Sequence, residues 1–161
     1  MLPKEDVEPH TKIINPMFKF KTKKEKEIEI LCFAILSDNY CYAIHDVSTK
    51  SITVIDPADP RPLIKYIEEN QLNLTGILTT HKHWDHSGGN EILKKKYPNV
   101  KVFGSSKDKI LELTNPVKHK DDISIENLQF TIFETPCHTD GHVIYYLQDE
   151  NSPILFTGDT L

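Results

Sequence analysis

The clearest hydrophobic pattern in the chain begins at Ile28, where IEILCFAIL mixes alternation with an apolar run, as a half-buried or buried strand does. The turn signal SDN at Ser37 to Asn39 separates it from YCYAI, and a second break leads to SITVID. Together these predict a three-stranded meander ending at Asp56. The period then changes. In DPADPRP, Asp59 can cap a helix with Pro60 in its first turn, and Leu63, Ile64 and Ile67 share one buried face before a stop near Asn70. LTGILTT follows as a strand, and GGNEILKKKYP as a helix that turns Ile92 and Leu93 to the core and Lys94 to Lys96 to water.

Further along, KVFGS predicts a short strand, SSKDKILEL a helical turn or short helix, and ISIENLQFTIFETP a hairpin turning at Glu126 and Asn127. HVIYYLQD and SPILFTGD close the chain as two more strands. The sum is a mixed sheet with helices on one side, an α/β or α+β layer architecture. Ahead of Ile28 the reading is different. The basic stretch KFKTKKEKE, from Lys19, interleaves its lysines with Glu25 and Glu27 and follows a Pro-containing segment with no periodicity, so 1–27 is expected to be a solvated, poorly ordered lead-in. The globular domain is expected to cover 28–161.

Composition narrows the class. A chain of 161 residues suits one domain and can bury roughly 70% of the surface its unfolded form exposes, enough for a core without staples. The three cysteines, Cys32, Cys41 and Cys137, are odd in number and sit at no zinc-finger spacing, which fits a reducing compartment. No apolar run approaches a bilayer span, and MLPKEDVEPH has neither a secretory h-region nor presequence character. The expectation is therefore a cytoplasmic protein with no membrane association. A net charge of −5 disfavours nucleic acid as a partner.

Chemistry concentrates where predicted strands end. Three histidines and an aspartate crowd the six positions HKHWDH, from His81 to His86, directly after LTGILTT. Alternate residues of an extended segment point the same way, so His81, His83 and Asp85 share a side, and a tight turn lets His86 join them. Imidazole and carboxylate are preferred ligands of zinc and of iron or manganese. Chance would place three histidines so on the order of once in ten thousand starting positions. A histidine-rich solvated loop is the plain alternative, but such a loop rarely sits between an apolar strand and a GGN helix start. TPCHTDGH supplies His138 after the strand QFTIFE, and FTGDTL supplies Asp159 after ILF. Six donors exceed the three or four that one ion needs, which suggests two divalent ions. His81, His83 and His138 would take one, Asp85 and His86 the other, and Asp159 would bridge at about 3.5 to 4 Å separation.

The run THKHWDHSGGN, with TPCHTDGH and GDTL downstream, resembles the metallo-β-lactamase superfamily and, within it, glyoxalase II, the hydroxyacylglutathione hydrolases. DNYCYAI and IDPAD also resemble that family's opening strands and the turn after them, and the likeness runs from about Ile30 to the last residue. The resemblance implies a four-layer αββα sandwich and two metal ions, zinc foremost, with iron or manganese also possible. It implies hydrolysis of S-D-lactoylglutathione to D-lactate and glutathione by a metal-bridging hydroxide. By the same carry-over, His81, His83 and His138 match the first metal's ligands, Asp85 and His86 the second's, and Asp159 the bridge, with Asp85 also orienting the hydroxide. His142 would brace its loop by hydrogen bonding, and Cys137 would be a small loop residue. His10, His45 and His119 receive no role.

The chain also departs from the family. It carries only the family's N-terminal part, and no histidine follows Asp159 to complete the second site. The lysine and tyrosine positions that hold glutathione in the family have no counterpart. This implies a longer enzyme represented by its first sheet and flanking helices, with an apolar sheet face left uncovered and open to self-association. Two readings of other classes stand beside the hydrolase. One is a non-catalytic metal-binding chain; the other is a superfamily relative such as a persulfide dioxygenase with one iron, against which WDHSGGN argues.

Overall fold

The computed structural model describes residues 13–22, 25–149 and 153–160. Within them the meander forms as expected: β2 (Glu27–Ile35), β3 (Asn39–Asp46) and β4 (Ser51–Ile55) pair antiparallel in chain order. From β4 the sheet continues in parallel through β5 (Asn73–Leu78), β6 (Lys101–Ser105) and β7 (Asn115–Val117). Parallel neighbours need a crossover. The helix α1 (Arg61–Glu69) supplies the first, and the single turn α2 (Trp84–Ser87) with α3 (Asn90–Lys96) supplies the second. Asp59 does accept the Arg61 N–H at 3.1 Å, from the residue before the Pro60 cap, and its carboxylate also holds the Arg61 guanidinium.

Four antiparallel strands build a second sheet, in the order β11 (Ile154–Phe156), β10 (Val143–Leu147), β9 (Leu128–Glu134), β8 (Asp122–Ile125). Its inward residues, among them Phe130, Ile132 and Tyr145, pack on Ile28, Ile44, Ile55 and Leu78 of the first sheet. A second core lies on the other face of the first sheet, where Leu63 and Ile67 of α1 and Leu93 of α3 cover Ile52, Val54 and Ile77. The described residues thus form three layers, helices on sheet on sheet.

Four expectations need correction. Residues 13–21, expected as an unstructured lead-in, form β1 (Ile13–Lys21) at the edge of the first sheet, while 1–12 lie outside the described residues. The physical reason is the alternation FKFK. Phe20 is buried, Lys19 faces Glu29 across the strand pair and forms an ion pair with it, and Lys21 stands opposite Glu27. The first sheet's inner face is not uncovered, because 122–156 alternate inward apolar residues that form the second sheet over it. The sheet face without a helix, among the described residues, is instead the outer one of the second sheet, where Leu155 is 49% exposed in a row shared with Tyr146, Thr131 and Asp122.

No helix forms over SSKDKILEL. The Asp108 carboxylate bonds to distant loops and the Leu111 carbonyl accepts from the Asn90 side chain, so neither serves a helical turn. In α3, finally, Leu93 is buried but Ile92 is 38% exposed, because the inward stripe of that helix runs through Asn90 and Leu93.

This topology places the chemistry. Strands β4 and β5 run parallel with Ile55 opposite Leu78, so Asp56 and the loop after β5 emerge side by side. The second sheet reaches over to the same loop. The Val143 N–H donates to the Thr80 carbonyl at 2.9 Å, and the buried Tyr145 hydroxyl donates to the Thr79 carbonyl at 3.0 Å.

Candidate metal centre

Three histidine nitrogens meet where the two sheets join. His81 Nε2 lies 3.1 Å from His83 Nδ1, and His83 Nδ1 lies 3.0 Å from His138 Nε2. A second set gathers His81, His86 and Asp159. The two Asp159 oxygens face different ways: Oδ1 stands 3.0 Å from His86 Nε2, and Oδ2 stands 3.2 Å from His138 Nε2 and 4.0 Å from His81 Nε2. Asp85 sits at the rim, half-exposed, with its Oδ2 3.7 Å from His86 Nε2. All six residues expected at the site are therefore brought together, Asp85 most loosely.

The local backbone explains the spacing. His83 is extended and precedes the one turn of α2, which the Ser87 hydroxyl closes against the Lys82 and His83 carbonyls. That turn swings His86 inward and leaves Trp84 67% exposed. The GGN that follows has two separate reasons. A side chain at Gly89 would meet the Pro57 carbonyl oxygen at 1.8 Å, so only glycine lets the segments approach. Asn90, fully buried, donates to Thr79 Oγ1 and to the Leu111 carbonyl, tying α3 to the histidine loop.

A network beneath the histidines fixes which nitrogens are free. Asp56 is buried, and its carboxylate accepts from the Thr80 N–H at 2.8 Å, the Thr80 hydroxyl at 2.7 Å and His86 Nδ1 at 3.0 Å. Because the Thr80 hydroxyl gives its proton to Asp56, its oxygen accepts from His81 Nδ1, 3.0 Å away. Both imidazoles therefore spend Nδ1–H on this carboxylate system and aim Nε2 at the site, the outer-shell arrangement that orients metal-binding histidines. Asp56 itself has a φ of +52°, an uncommon conformation for a residue with a side chain.

Burial, with the neighbouring His86 next in weight, pushes the His81 pKa down to about 3, which keeps this ring neutral with its lone pair available at neutral pH. Burial alone would also lower His86. The hydrogen bond and charge of Asp56, with Asp159 and Asp85, outweigh it and hold His86 above its ordinary value. His142 is fully buried, and desolvation lowers its pKa. Its Nε2 accepts the Asp159 N–H at 3.2 Å, so Nδ1 carries the proton toward the Thr135 and Thr160 hydroxyls at 3.0 Å. It braces the Asp159 loop as well as its own. Gly158, at φ +51°, makes the turn that brings Asp159 back.

Cys137 is exposed on its loop. His45 pairs with Glu29 away from the site, His119 accepts the Glu134 N–H, and His10 lies outside the described residues. A cavity of about 250 Å³ opens beside His86 and Asp159, with Ile30, Tyr42, Ile55 and Phe156 on its apolar side.

Residues 36–161 match the family model of the metallo-beta-lactamase superfamily. The chain belongs to that superfamily. This superfamily chain is 43% identical over 129 residues to the cytoplasmic hydroxyacylglutathione hydrolase of Arabidopsis thaliana, a match covering 78% of this chain and 50% of the plant protein. Among solved structures it is similar to ETHE1 from Myxococcus xanthus, with a TM-score of 0.67 and 31% identity over 78% of this chain and 54% of that one. It is also similar to a metallo-beta-lactamase from Staphylococcus aureus, with a TM-score of 0.63 and 28% identity over 74% of this chain and 39% of that one. The chain spans about half the length of the curated relative it matches.

Membership in the metallo-beta-lactamase superfamily implies divalent metal binding, and the donor set fits it. Nitrogens bound at about 2.0 to 2.1 Å in a tetrahedral set stand about 3.3 Å apart, close to the His81–His83 and His83–His138 separations. The donor chemistry agrees. Imidazole nitrogens gathered this closely in a half-dry site suit a shared cation, which takes several lone pairs at once.

Sequence reasoning gave Asp56, Thr80, Asn90 and Asp108 no role at the site. For Asp56 one signal was present: IDPAD places an acidic residue at the C-terminal end of a strand, the edge where α/β sheets bind ligands.

Proposed function

We propose that this chain carries the metal-binding part of a metal-dependent thioester hydrolase that converts S-D-lactoylglutathione to D-lactate and glutathione. The observation that carries the proposal is the pair of donor sets joined through the two oxygens of Asp159, in a chain 43% identical to a hydroxyacylglutathione hydrolase. His81, His83 and His138 would hold one divalent ion, His86 and Asp85 a second, with Asp159 between them; zinc suits these donors best, and iron or manganese also fit. When bound, such ions supply Lewis acidity at a carbonyl and lower the pKa of water from about 15.7 toward 7.

The chain's own residues do the rest. Asp85, half-exposed beside His86 Nε2, orients the attacking water and accepts its proton. Neutral His81 offers its lone pair without first losing a proton. The Asp56 and Thr80 network keeps both Nε2 atoms aimed inward, and the cavity beside Asp159 admits the apolar side of a substrate. The leaving thiolate, from a thiol of pKa about 8.5, departs without a dedicated acid. A cytoplasmic setting accords with a substrate built on glutathione and with the plant relative's name.

A second reading, a persulfide dioxygenase using one iron, has the similarity to ETHE1 in its favour. Three measurements on the full chain separate them. Metal content near two ions per chain with loss of the thioester's ultraviolet absorbance is expected. Bound ions without turnover would reduce the chain to a metal-binding protein, and oxygen consumption with a persulfide would transfer it to the second reading.

A further inference from the structure

We propose that Asp108 is a positioning residue that sets the distance between the two loops carrying the first metal's ligands. The inference rests on the reading of His81, His83 and His138 as those ligands. Asp108 lies in the connection between β6 and β7, is 3% exposed, and contributes no atom to either donor set. Its carboxylate nonetheless joins them. Oδ2 accepts the Lys82 N–H at 3.0 Å and the Thr139 hydroxyl at 2.8 Å, and Oδ1 accepts the Gly141 N–H at 3.0 Å. Lys82 Nζ stands 3.8 Å from Oδ1, half-exposed.

The positions of these partners give the contact its meaning. Lys82 separates His81 from His83 in a segment of successive bends, so its N–H fixes the 81–82 peptide between two residues whose rings converge on one point. Thr139 follows His138 directly. One carboxylate thus grips the residue between two ligands and the residue after the third. The gap is closed tightly, since a side chain at Gly141 would meet the Asp108 backbone nitrogen at 2.6 Å. The bond from Val143 N–H to the Thr80 carbonyl also links the two segments, but it acts ahead of His81 and past His142, outside the span that carries the ligands. A metal site tolerates only small errors of placement, and losing an outer partner of a ligand set lowers affinity 10- to 100-fold.

The test uses Co(II) as the probe, bound to the full chain in competition with a chromophoric chelator, with its visible absorption as a second readout. Asp108→Asn presents an amide N–H₂ where a carboxylate oxygen met donors, and is expected to weaken first-site Co(II) binding on the order of 10-fold and to shift the absorption. Thr139→Val, which removes one bond, is expected to weaken it several-fold. Asp46→Asn alters a comparably buried carboxylate at the far end of the sandwich, and should lower stability while leaving affinity and spectrum unchanged. His83→Ala should abolish the first-site spectrum.

Wild-type affinity and spectrum in Asp108→Asn would overturn the proposal while His83→Ala still upholds the ligand assignment. Should Asp108→Asn not fold, Thr139→Val decides, with an unchanged spectrum and affinity counting against positioning. A wild-type chain that binds no Co(II) removes the ligand reading and this proposal with it.

Discussion

The two ends of the sandwich use the same device and reach opposite results. At the end where β4 and β5 finish, Asp56 is buried and accepts three hydrogen bonds. At the other end, Asp46 is buried and accepts from the Ser48 N–H and hydroxyl, the Thr49 N–H and the Asn127 amide. Asp46 satisfies a turn and pins it to the β8–β9 hairpin; its bonds begin and end in structure. Asp56 takes the His86 Nδ1 proton directly and the His81 Nδ1 proton through the Thr80 hydroxyl, and so aims both Nε2 atoms at the donors of His83, His138 and Asp159. A buried network marks a functional site by the ligating atoms it aims at one point, not by its size. Volume is no better guide, because the larger groove, about 490 Å³, lies toward the far end among Lys96, Tyr97 and Glu126, where neither donor set reaches.

The sharpest way to break this comparison is to remove one converging donor. His83→Ala should lower metal content from near two ions per chain to one or none, while the metal-free fold changes by no more than about 0.5 kcal/mol, since the half-buried ring gives up a crowded lone pair rather than a core contact. Metal analysis with a thermal melt of the stripped chain reads both. Retention of two ions would overturn the assignment of the first set.

Asp56→Ala ranks next and should strike both properties together. It leaves the Thr80 N–H and the His86 Nδ1–H without a buried acceptor, at a cost of about 3 kcal/mol. It also frees the His81 and His86 rings to turn, lowering metal affinity 10- to 100-fold. Urea melts and chelator competition give the two numbers. A variant that loses stability but binds metal as before would make Asp56 equivalent to Asp46.

These two residues also show what the sequence could and could not reveal. The HKHWDH cluster was legible because its residue types are rare at that density and follow an apolar strand, and His138 and Asp159 because each follows a strand of its own. The meander, both helices at α1 and α3, and the hairpin were legible from period and turn residues. Asp56 was less so, since one aspartate after a strand reads equally as a cap or a turn; its role appears only when β5 lies beside β4 and places Thr80 and His86 against it. Asp108 was hidden behind a helical pattern its own long-range bonds defeat. The FKFK alternation of β1 was masked by neighbouring lysines that read as a solvated run, although across the strand pair Lys19 has an acidic partner in Glu29.

At the far end the expected effects are smaller and purely structural. Asp46→Asn keeps the shape but turns one acceptor into a donor, which should cost about 1 kcal/mol and leave metal content at its wild-type value. Denaturant unfolding beside metal analysis checks this. A loss of metal here would mean that the two ends are coupled through the sheets, and the comparison would fail.

The smallest effect is the pH dependence of that same carboxylate. Desolvation raises the Asp46 pKa, but the hydrogen bonds from Ser48, Asn127 and Thr49 outweigh it and hold the folded value below the ordinary one. Between the folded pKa and the unfolded value of about 3.9, the unfolded chain binds more protons, so stability rises with pH across that window. The contribution is complete above the unfolded value and is lost as pH falls through the folded one. Other carboxylates of the chain, among them Glu29 and Asp59, are lowered too, so the raw acid limb mixes several groups. The difference between wild type and Asp46→Asn isolates this one. Metal-free unfolding free energies should differ most above about pH 4 and converge as the pH falls below it. Parallel curves would show that Asp46 gains nothing from its charge, and that its four bonds act by shape alone.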